Sequence, residues 1–320
     1  MNEKQNLPKR GNMSGTLRNR LLDKNNKPTL LLSTILNDSN LDIQLRDNYL
    51  NIYYRGGNIL CIHPRSFTFD KFYFYLPDNE GYPKTYVEKM AKGKRNEIPQ
   101  NTTHKVPTEE DAKKIMRELD AKCRGLKSLL DSQDYLQYFG KAKAVMDEWF
   151  KKFPKQERND QHCISLANRE FSHTNNLVVI DLEFSVSKNQ PYNQNTDGKP
   201  KVCRFDIIAV SKSGQLYIIE LKQNQASDGK DKPANIEEHK ADFENTVGND
   251  RDNVFLNEMA DLLNTKKNLG ILSNGIEIDI TKKPIFAVAY SGKEADKFNR
   301  EHEKAGYTVI KIDDNKNLSL

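Results

Sequence analysis

Residues 204–222 read RFDIIAVSKSGQLYIIELK, two apolar, β-branched arms joined by Ser211-Lys212-Ser213-Gly214-Gln215. Arms of this kind predict strands at residues 205–210 and 216–221, and the short polar linker between them predicts a hairpin turn. Pairing Val210 with Leu216 sets Ile208 opposite Ile218 and Asp206 opposite Glu220. Side chains alternate along a strand, so Glu220 and Lys222 share a face, and directly opposed Cβ atoms lie about 5 Å apart. Two carboxylates therefore face each other across the ladder with a lysine beside them. Like charges so placed destabilise a ladder, and a divalent cation held between them would remove the conflict.

The tripeptide acid-x-Lys carries little meaning by itself. It begins at Asp111, Asp120, Asp197, Glu220, Asp228, Glu238 and Asp314. Of these, the one at Glu220 lies inside an apolar strand with an acid expected across a hairpin from it. Two readings of that constellation stay open at this point: a metal-binding catalytic site, or a sheet edge at which Lys222 neutralises Glu220 and Asp206. A one-residue slip in register would take Asp206 out of opposition.

The arrangement resembles the PD-(D/E)XK nuclease superfamily, with Asp206 matching the first acid and Glu220-Leu221-Lys222 the E-x-K. Phe205 stands where the name-giving proline would be. The surrounding pattern predicts a helix at 156–169, strands at 177–186, 205–210 and 216–221, a helix at 236–246, a strand at 284–290, a helix at 293–304 and a strand at 307–312. The resemblance implies an α/β, restriction-endonuclease-like mixed sheet flanked by helices, covering about the last half of the chain. It also implies a Mg²⁺-dependent endonuclease acting on nucleic acid, DNA ahead of RNA, with cleavage leaving a 5′-phosphate. A homodimer is left open.

The chemistry supports the same assignments. Phosphodiester hydrolysis needs a water made nucleophilic at neutral pH and stabilisation of charge growing on the phosphoryl oxygens, both of which a hard cation supplies. Carboxylate and carbonyl oxygens favour Mg²⁺ or Mn²⁺ over zinc. Asp206, Glu220 and the Leu221 backbone carbonyl are the expected ligands, and Lys222 the group that orients water or stabilises charge. Four further residues are candidates for the same pocket. Glu157 opens the helix before the first strand and Glu170 closes it. Glu183 interrupts the apolar run LVVIDLEF, and His239 lies in the helix after the hairpin, where a surface role is the alternative.

The remainder of the chain is bounded by composition. Of 320 residues, 30% are charged, which fits a water-facing protein with room for two domains. No apolar run reaches membrane-spanning length and the first residues, MNEKQNLPKRGNM, lack the apolar core of a secretion signal, so a cytoplasmic location without membrane contact is expected. The cysteines, Cys61, Cys123, Cys163 and Cys203, show no Cys-x-x-Cys spacing, arguing for reduced thiols and against a zinc site. Walker A, Gly-x-Gly-x-x-Gly, His-Glu-x-x-His and Gly-x-Ser-x-Gly motifs are all missing.

Residues 1–30 hold seven Lys or Arg against two acids and so account for the whole net charge of +5. They read as a basic, flexible arm that could steer the protein toward a polyanion. Residues 31–106 read as a β-rich module with a hairpin at Gly56-Gly57 and an aromatic run, Phe67, Phe69, Phe72 and Phe74, whose rings are expected to be buried. Residues 107–154 read as a helical connector, with a capping box at Thr108 and Asp111. Its apolar stripes are Ile115, Leu119, Leu126, Leu130 and then Leu136, Phe139, Met146, Trp149, Phe150, Phe153. Residues 155–320 form the nuclease-like domain, and the polar loops at 188–201 and 223–235 flank its site. The alternatives to an enzyme are a catalytically inactive nuclease-fold module that binds nucleic acid or a partner protein, and a scaffold that binds neither.

Overall fold

The computed structural model describes residues 9–22, 28–70, 73–74, 123, 125–152, 156–186, 190–193, 202–223, 236–292 and 294–320. Two helices, α1 (Gly15–Leu22) and α2 (Pro28–Leu36), precede a four-stranded antiparallel sheet of β1 (Leu41–Leu45), β2 (Leu50–Tyr54), β3 (Gly57–Ile62) and β4 (Phe67–Thr68), paired in chain order. The β2–β3 turn is Arg55-Gly56, with φ of 49° and 74°. Positive φ at both central residues is what a two-residue turn needs to match strand twist, and it falls one residue earlier than the Gly56-Gly57 expected from sequence. Helices α3 (Leu126–Asp131) and α4 (Tyr135–Lys152) pack behind this sheet. In α4, Phe139, Met146, Trp149 and Phe150 are buried as expected, but Leu136 is 79% exposed and Tyr135 and Tyr138 take the inner positions. The proposed capping box, with Ile115, Leu119, Phe72 and Phe153, lies outside the described residues.

The second half is built on a six-stranded mixed sheet. Helix α5 (Gln156–Ala167) leads into β5 (Leu177–Val186), β6 (Cys203–Ser211) and β7 (Leu216–Gln223), an antiparallel meander. Helices α6 (Ile236–Glu244) and α7 (Val254–Asn268) then carry the chain to β8 (Ile285–Ser291), which pairs parallel to β7. Helix α8 (Ala295–Lys304) leads to β9 (Thr308–Ile312), parallel to β8, and a short antiparallel β10 (Leu318–Ser319) closes the order β10-β9-β8-β7-β6-β5. The Asn176 N–H donates to the Leu318 carbonyl at 3.3 Å, so the two outermost strands approach and the sheet curls. Each strand predicted in this half is present, with ends moved by at most two residues. Helix α7 was not among the expected elements.

Both faces of the meander are covered, which is why its strands are apolar throughout. Leu216 and Ile218 of β7 join the large core with Ile236 and Phe243 of α6. Tyr217, Ile219 and Leu221 point the other way, into a smaller core with Ile164 of α5 and Leu318. Alternation thus places Glu220 and Lys222 on the face covered by α6.

The basic arm is not a solvated tail over residues 9–22. Gly11, at φ +88°, lies so close to α7 that a Cβ would sit 2.7 Å from the Leu262 nitrogen. The Arg10 N–H donates to Glu258 Oε1 at 2.7 Å, and Thr265 Oγ1 donates to the Gly11 carbonyl at 3.2 Å. Leu17 and Leu21 of α1 are fully buried. The physical reason is an internal anion. Asp181, 0% exposed on β5, is bracketed by Arg10 Nη1 and Arg46 Nη1, each 2.8 Å away. Lys266 at the end of α7 is buried beside them, donating to the Ile180 carbonyl at 2.6 Å and to Gln44 Oε1 at 2.9 Å. Charge that looks like a mobile basic tail in sequence is spent tying three parts of the chain together.

Candidate active site

The hairpin register is the one predicted: Val210 pairs with Leu216, Ile208 with Ile218 and Ile207 with Ile219. Beyond Ile207 the ladder gives way to a side-chain contact. Asp206 Oδ2 accepts the Leu221 N–H at 3.0 Å. The carboxylate thus replaces a strand carbonyl and is drawn in toward β7, next to Glu220.

Glu220 is 3% exposed. Its Oε1 accepts from Lys222 Nζ at 2.6 Å and lies 3.2 Å from His239 Nε2 on α6. Its Oε2 is buried and takes no hydrogen bond from an N–H or hydroxyl among the described residues; Glu220 shares a hydrogen bond with the Asp206 carboxyl instead. An unsatisfied buried carboxylate oxygen is costly. Burial raises the pKa of Asp206, the negative charge of Glu220 raises it further, and the result is pushed up to about 8 against the opposing Leu221 N–H and Lys222. Glu220 is also raised, by burial first, with Lys222 holding it down. Asp206 is the partner that keeps the proton, because Lys222 and His239 sit on Glu220. The negative charge of Glu157 raises both groups.

The structure therefore brings Asp206, Glu220, Lys222 and His239 together and places Glu157, exposed at the start of α5, within electrostatic range. His239, for which a surface role was the alternative, reaches the site because α6 folds back over β7. Glu170 is not brought in. It is exposed at the far end of the helix, where its carbonyl accepts from Asn175 Nδ2 at 2.8 Å. Glu183 occupies the β5 position opposite Asp206, between the Leu182–Ile207 and Phe184–Phe205 pairs, yet its carboxylate turns to Arg158 Nε at 3.9 Å and Arg204 Nη1 at 3.7 Å. The flanking loops at 188–201 and 223–235 lie largely outside the described residues. Within the first, Gln190 and Tyr192 are buried, and the Tyr192 hydroxyl donates to Glu258 Oε2 at 3.3 Å.

Three residues were missed in sequence: Arg158 and Arg204, which face Glu183, and Asp181, two residues from Glu183 in the same strand. The signal for Asp181 was present, since LVVIDLEF carries two acids and both equally break the apolar run.

Among the described residues, no group of three or more His, Cys, Asp or Glu side chains converges as a ready metal cage. Comparison of the chain with protein-family models, curated proteins and solved structures gives no match.

Proposed function

We propose that the chain is a metal-dependent nuclease that hydrolyses phosphodiester bonds of nucleic acid, DNA ahead of RNA, on a restriction-endonuclease-like core. The observation that carries this reading is the forced meeting of Asp206 and Glu220 at the end of the β6–β7 hairpin. Glu220 Oε2 is left with no N–H or hydroxyl donor, and Lys222 Nζ holds the other oxygen of the same carboxylate. The order helix, three strands, helix, strand expected of the superfamily is also met, with α7 as an additional helix before the parallel strand.

The donor set fits Mg²⁺ or Mn²⁺ better than zinc. Zinc sites want three or four nitrogen or sulfur ligands, whereas Mg²⁺ is commonly held by one or two carboxylates and keeps several of its waters. Asp206 and Glu220, with the Leu221 carbonyl, would hold such an ion, and both carboxyls would then be ionised. A bound divalent cation supplies charge neutralisation at the phosphoryl oxygens and a water of lowered pKa. Lys222 Nζ, released from Glu220, would hold the attacking water by hydrogen bond. His239, on the opposite side of Glu220, would steady that carboxylate. Water would attack phosphorus as it gives up a proton to solvent, the P–O3′ bond would break, and the departing 3′-oxygen would take a proton from a second water, leaving the product with a 5′-phosphate.

A second reading is favoured by one observation. Glu220 Oε1 is already occupied by Lys222 and His239, as in a site that docks nucleic acid or a partner protein without cutting. The deciding experiment is cleavage of plasmid DNA, single-stranded DNA and RNA with Mg²⁺ or Mn²⁺, comparing wild type with Glu220→Ala and Lys222→Ala. Activity lost in both variants and abolished by chelator supports the nuclease. Binding without cutting by the folded wild type supports the module, and neither would leave a scaffold.

A further inference from the structure

Glu183 is the one residue among the described strands of the larger sheet with left-handed backbone, at φ 49°. A side chain with a Cβ pays of order 1–3 kcal/mol for such a conformation. The strain directs its carboxylate between Arg158 and Arg204, at 3.9 and 3.7 Å, distances of charge attraction rather than hydrogen bonding. Both guanidiniums are about half exposed, with side-chain exposures of 47% and 58%. Glu183, which both face, lies opposite Asp206 on the neighbouring strand. Arg204 lies two residues before Asp206 on β6, and Arg158 follows Glu157, whose charge acts on both carboxyls.

Glu183 is, in addition, the wall shared by two cavities. One, of about 20 Å³, is lined by Arg158, Arg46 and Tyr53. The other, of about 340 Å³, is lined by Arg204, Arg10, Arg46 and Tyr49. Arginines and tyrosines of the arm, the β-rich module and the larger sheet thus line the two cavities, with Asp47 and Glu258 also on the wall of the second, and Glu183 borders each. Two guanidiniums held apart by one loosely seated carboxylate form a poor ion pair and a good receptor. A phosphodiester presents two anionic oxygens in the geometry that paired guanidiniums match.

We infer that Arg158 and Arg204 clamp a backbone phosphate of the nucleic-acid strand next to the scissile one, and that Glu183 fills the clamp when no strand is bound. The inference rests on the nuclease reading for its substrate class. It gives Glu183 a role opposite to that of a metal ligand, since removing its charge should help binding. It also assigns the β-rich module a share in the substrate path, because Gly56 of its hairpin packs against the Arg158 backbone. A Cβ on Gly56 would lie 2.4 Å from the Arg158 carbonyl oxygen.

The test is fluorescence-anisotropy binding of labelled single-stranded and duplex DNA and RNA oligonucleotides in EDTA, across a salt series. Wild type is compared with Arg158→Ala, Arg204→Ala, Arg204→Lys and Glu183→Gln. Each alanine variant is expected to weaken binding roughly five- to tenfold and to lower the slope of log affinity against log salt by about 1. Arg204→Lys, which keeps the charge and loses the fork, should fall between. Glu183→Gln should tighten binding several-fold. Unchanged affinity in the arginine variants, weakened binding by Glu183→Gln, or no nucleic-acid binding by the wild type would each overturn the clamp. If the wild type cuts nucleic acid and the series is flat, the clamp alone fails. If it binds with the expected series and never cuts, the clamp stands and the catalytic reading fails.

Discussion

Replacing Asp206 with Asn should stabilise the metal-free protein while removing the cleavage activity proposed for it. The folded state holds the Asp206 carboxyl at about 8, against an ordinary value of 3.8, because burial and Glu220 both oppose its charge. The folded-state pKa is raised, so the stabilising contribution is fully present below the unfolded pKa and is lost as pH rises through the folded one. Between about pH 4 and pH 8 the unfolded chain has released a proton that the folded protein retains, and stability falls with rising pH. By pH 7 the cost is about three pKa units at 1.36 kcal/mol each, about 4 kcal/mol at the upper limit. The titration belongs to the Asp206–Glu220 pair and not to Asp206 alone, so only part of this is recovered by one substitution, and a gain of about 2 kcal/mol is expected for Asp206→Asn at that pH. The assay is urea unfolding in EDTA at pH 5, 6, 7 and 8 for both proteins. Wild type should lose up to about 1.4 kcal/mol per pH unit across this window, and the variant should show a flatter profile and the higher midpoint at pH 7. Added Mg²⁺ should reverse the wild-type loss, by about 2.7 kcal/mol at a hundredfold excess over Kd, and leave the variant unmoved. Equal slopes in the two proteins would refute the reasoning, since the carboxyls would then not be in conflict.

Other consequences are as direct. Asp181→Asn strips Arg10 and Arg46 of their buried partner and should cost about 3–5 kcal/mol in chemical unfolding, whereas Glu183→Gln on the same strand, breaking only loose and half-exposed contacts, should cost under about 1 kcal/mol. Gly56→Ala meets both a φ of +74° and the Arg158 carbonyl, and a loss of about 2–4 kcal/mol is expected by thermal unfolding. Gly275→Ala, with nothing within 4 Å of the new Cβ, should be near neutral. Burial lowers the Lys266 ammonium to about 8, so between about pH 8 and its ordinary 10.5 the unfolded chain holds a proton that the folded protein has given up. That group's contribution to stability grows across the window, and Lys266→Met should remove that part of the alkaline slope in urea titrations.

The core of the site was legible in the sequence because hairpin register is local. A short turn between two apolar arms determines which residues oppose one another, and a slip would turn every core side chain outward. The helix and strands around it followed from periodicity in the same way. Helix α7 was equally readable in principle, since Phe255, Leu256, Met259, Leu262 and Leu263 recur at helical spacing. What could not be read are the long-range partners. Arg10 and Asp181 are 171 residues apart in the chain, and no local pattern distinguishes a lysine or arginine bound for the interior from one on a mobile arm. The inward phase of α4 was misjudged at Leu136 for a related reason: which side of a helix is buried depends on what it packs against, and Tyr135 and Tyr138 take the inner positions instead.

The buried cluster around Asp181 gives the two halves of the molecule a shared purpose. Buried ion pairs are an inefficient source of stability compared with apolar packing, and their best-attested use is to enforce one arrangement over another. Arg10 comes from the arm, Arg46 from the loop after β1 and Lys266 from α7, and all three converge where β5 is irregular, with Ile180 inserted between the Val179–Ala209 and Asp181–Ile208 pairs. The irregularity flips the phase of β5 and the left-handed Glu183 flips it back: Val178 and Ile180 face the large core, Leu182 the smaller one, and Phe184 and Val186 the large core again. With Arg10 and Arg46 also hydrogen-bonded to the Leu182 carbonyl, and Arg10 to that of Glu183 at 2.7 Å, the strand is gripped on both sides of the strained residue. The β-rich module and the arm therefore act on the second half through backbone position: they hold β5 at the irregularity and seat Arg158 through Gly56. Loosening that grip should alter how a strand is received at Arg158 and Arg204 before it alters the carboxylate pair, which the β6–β7 hairpin positions by itself.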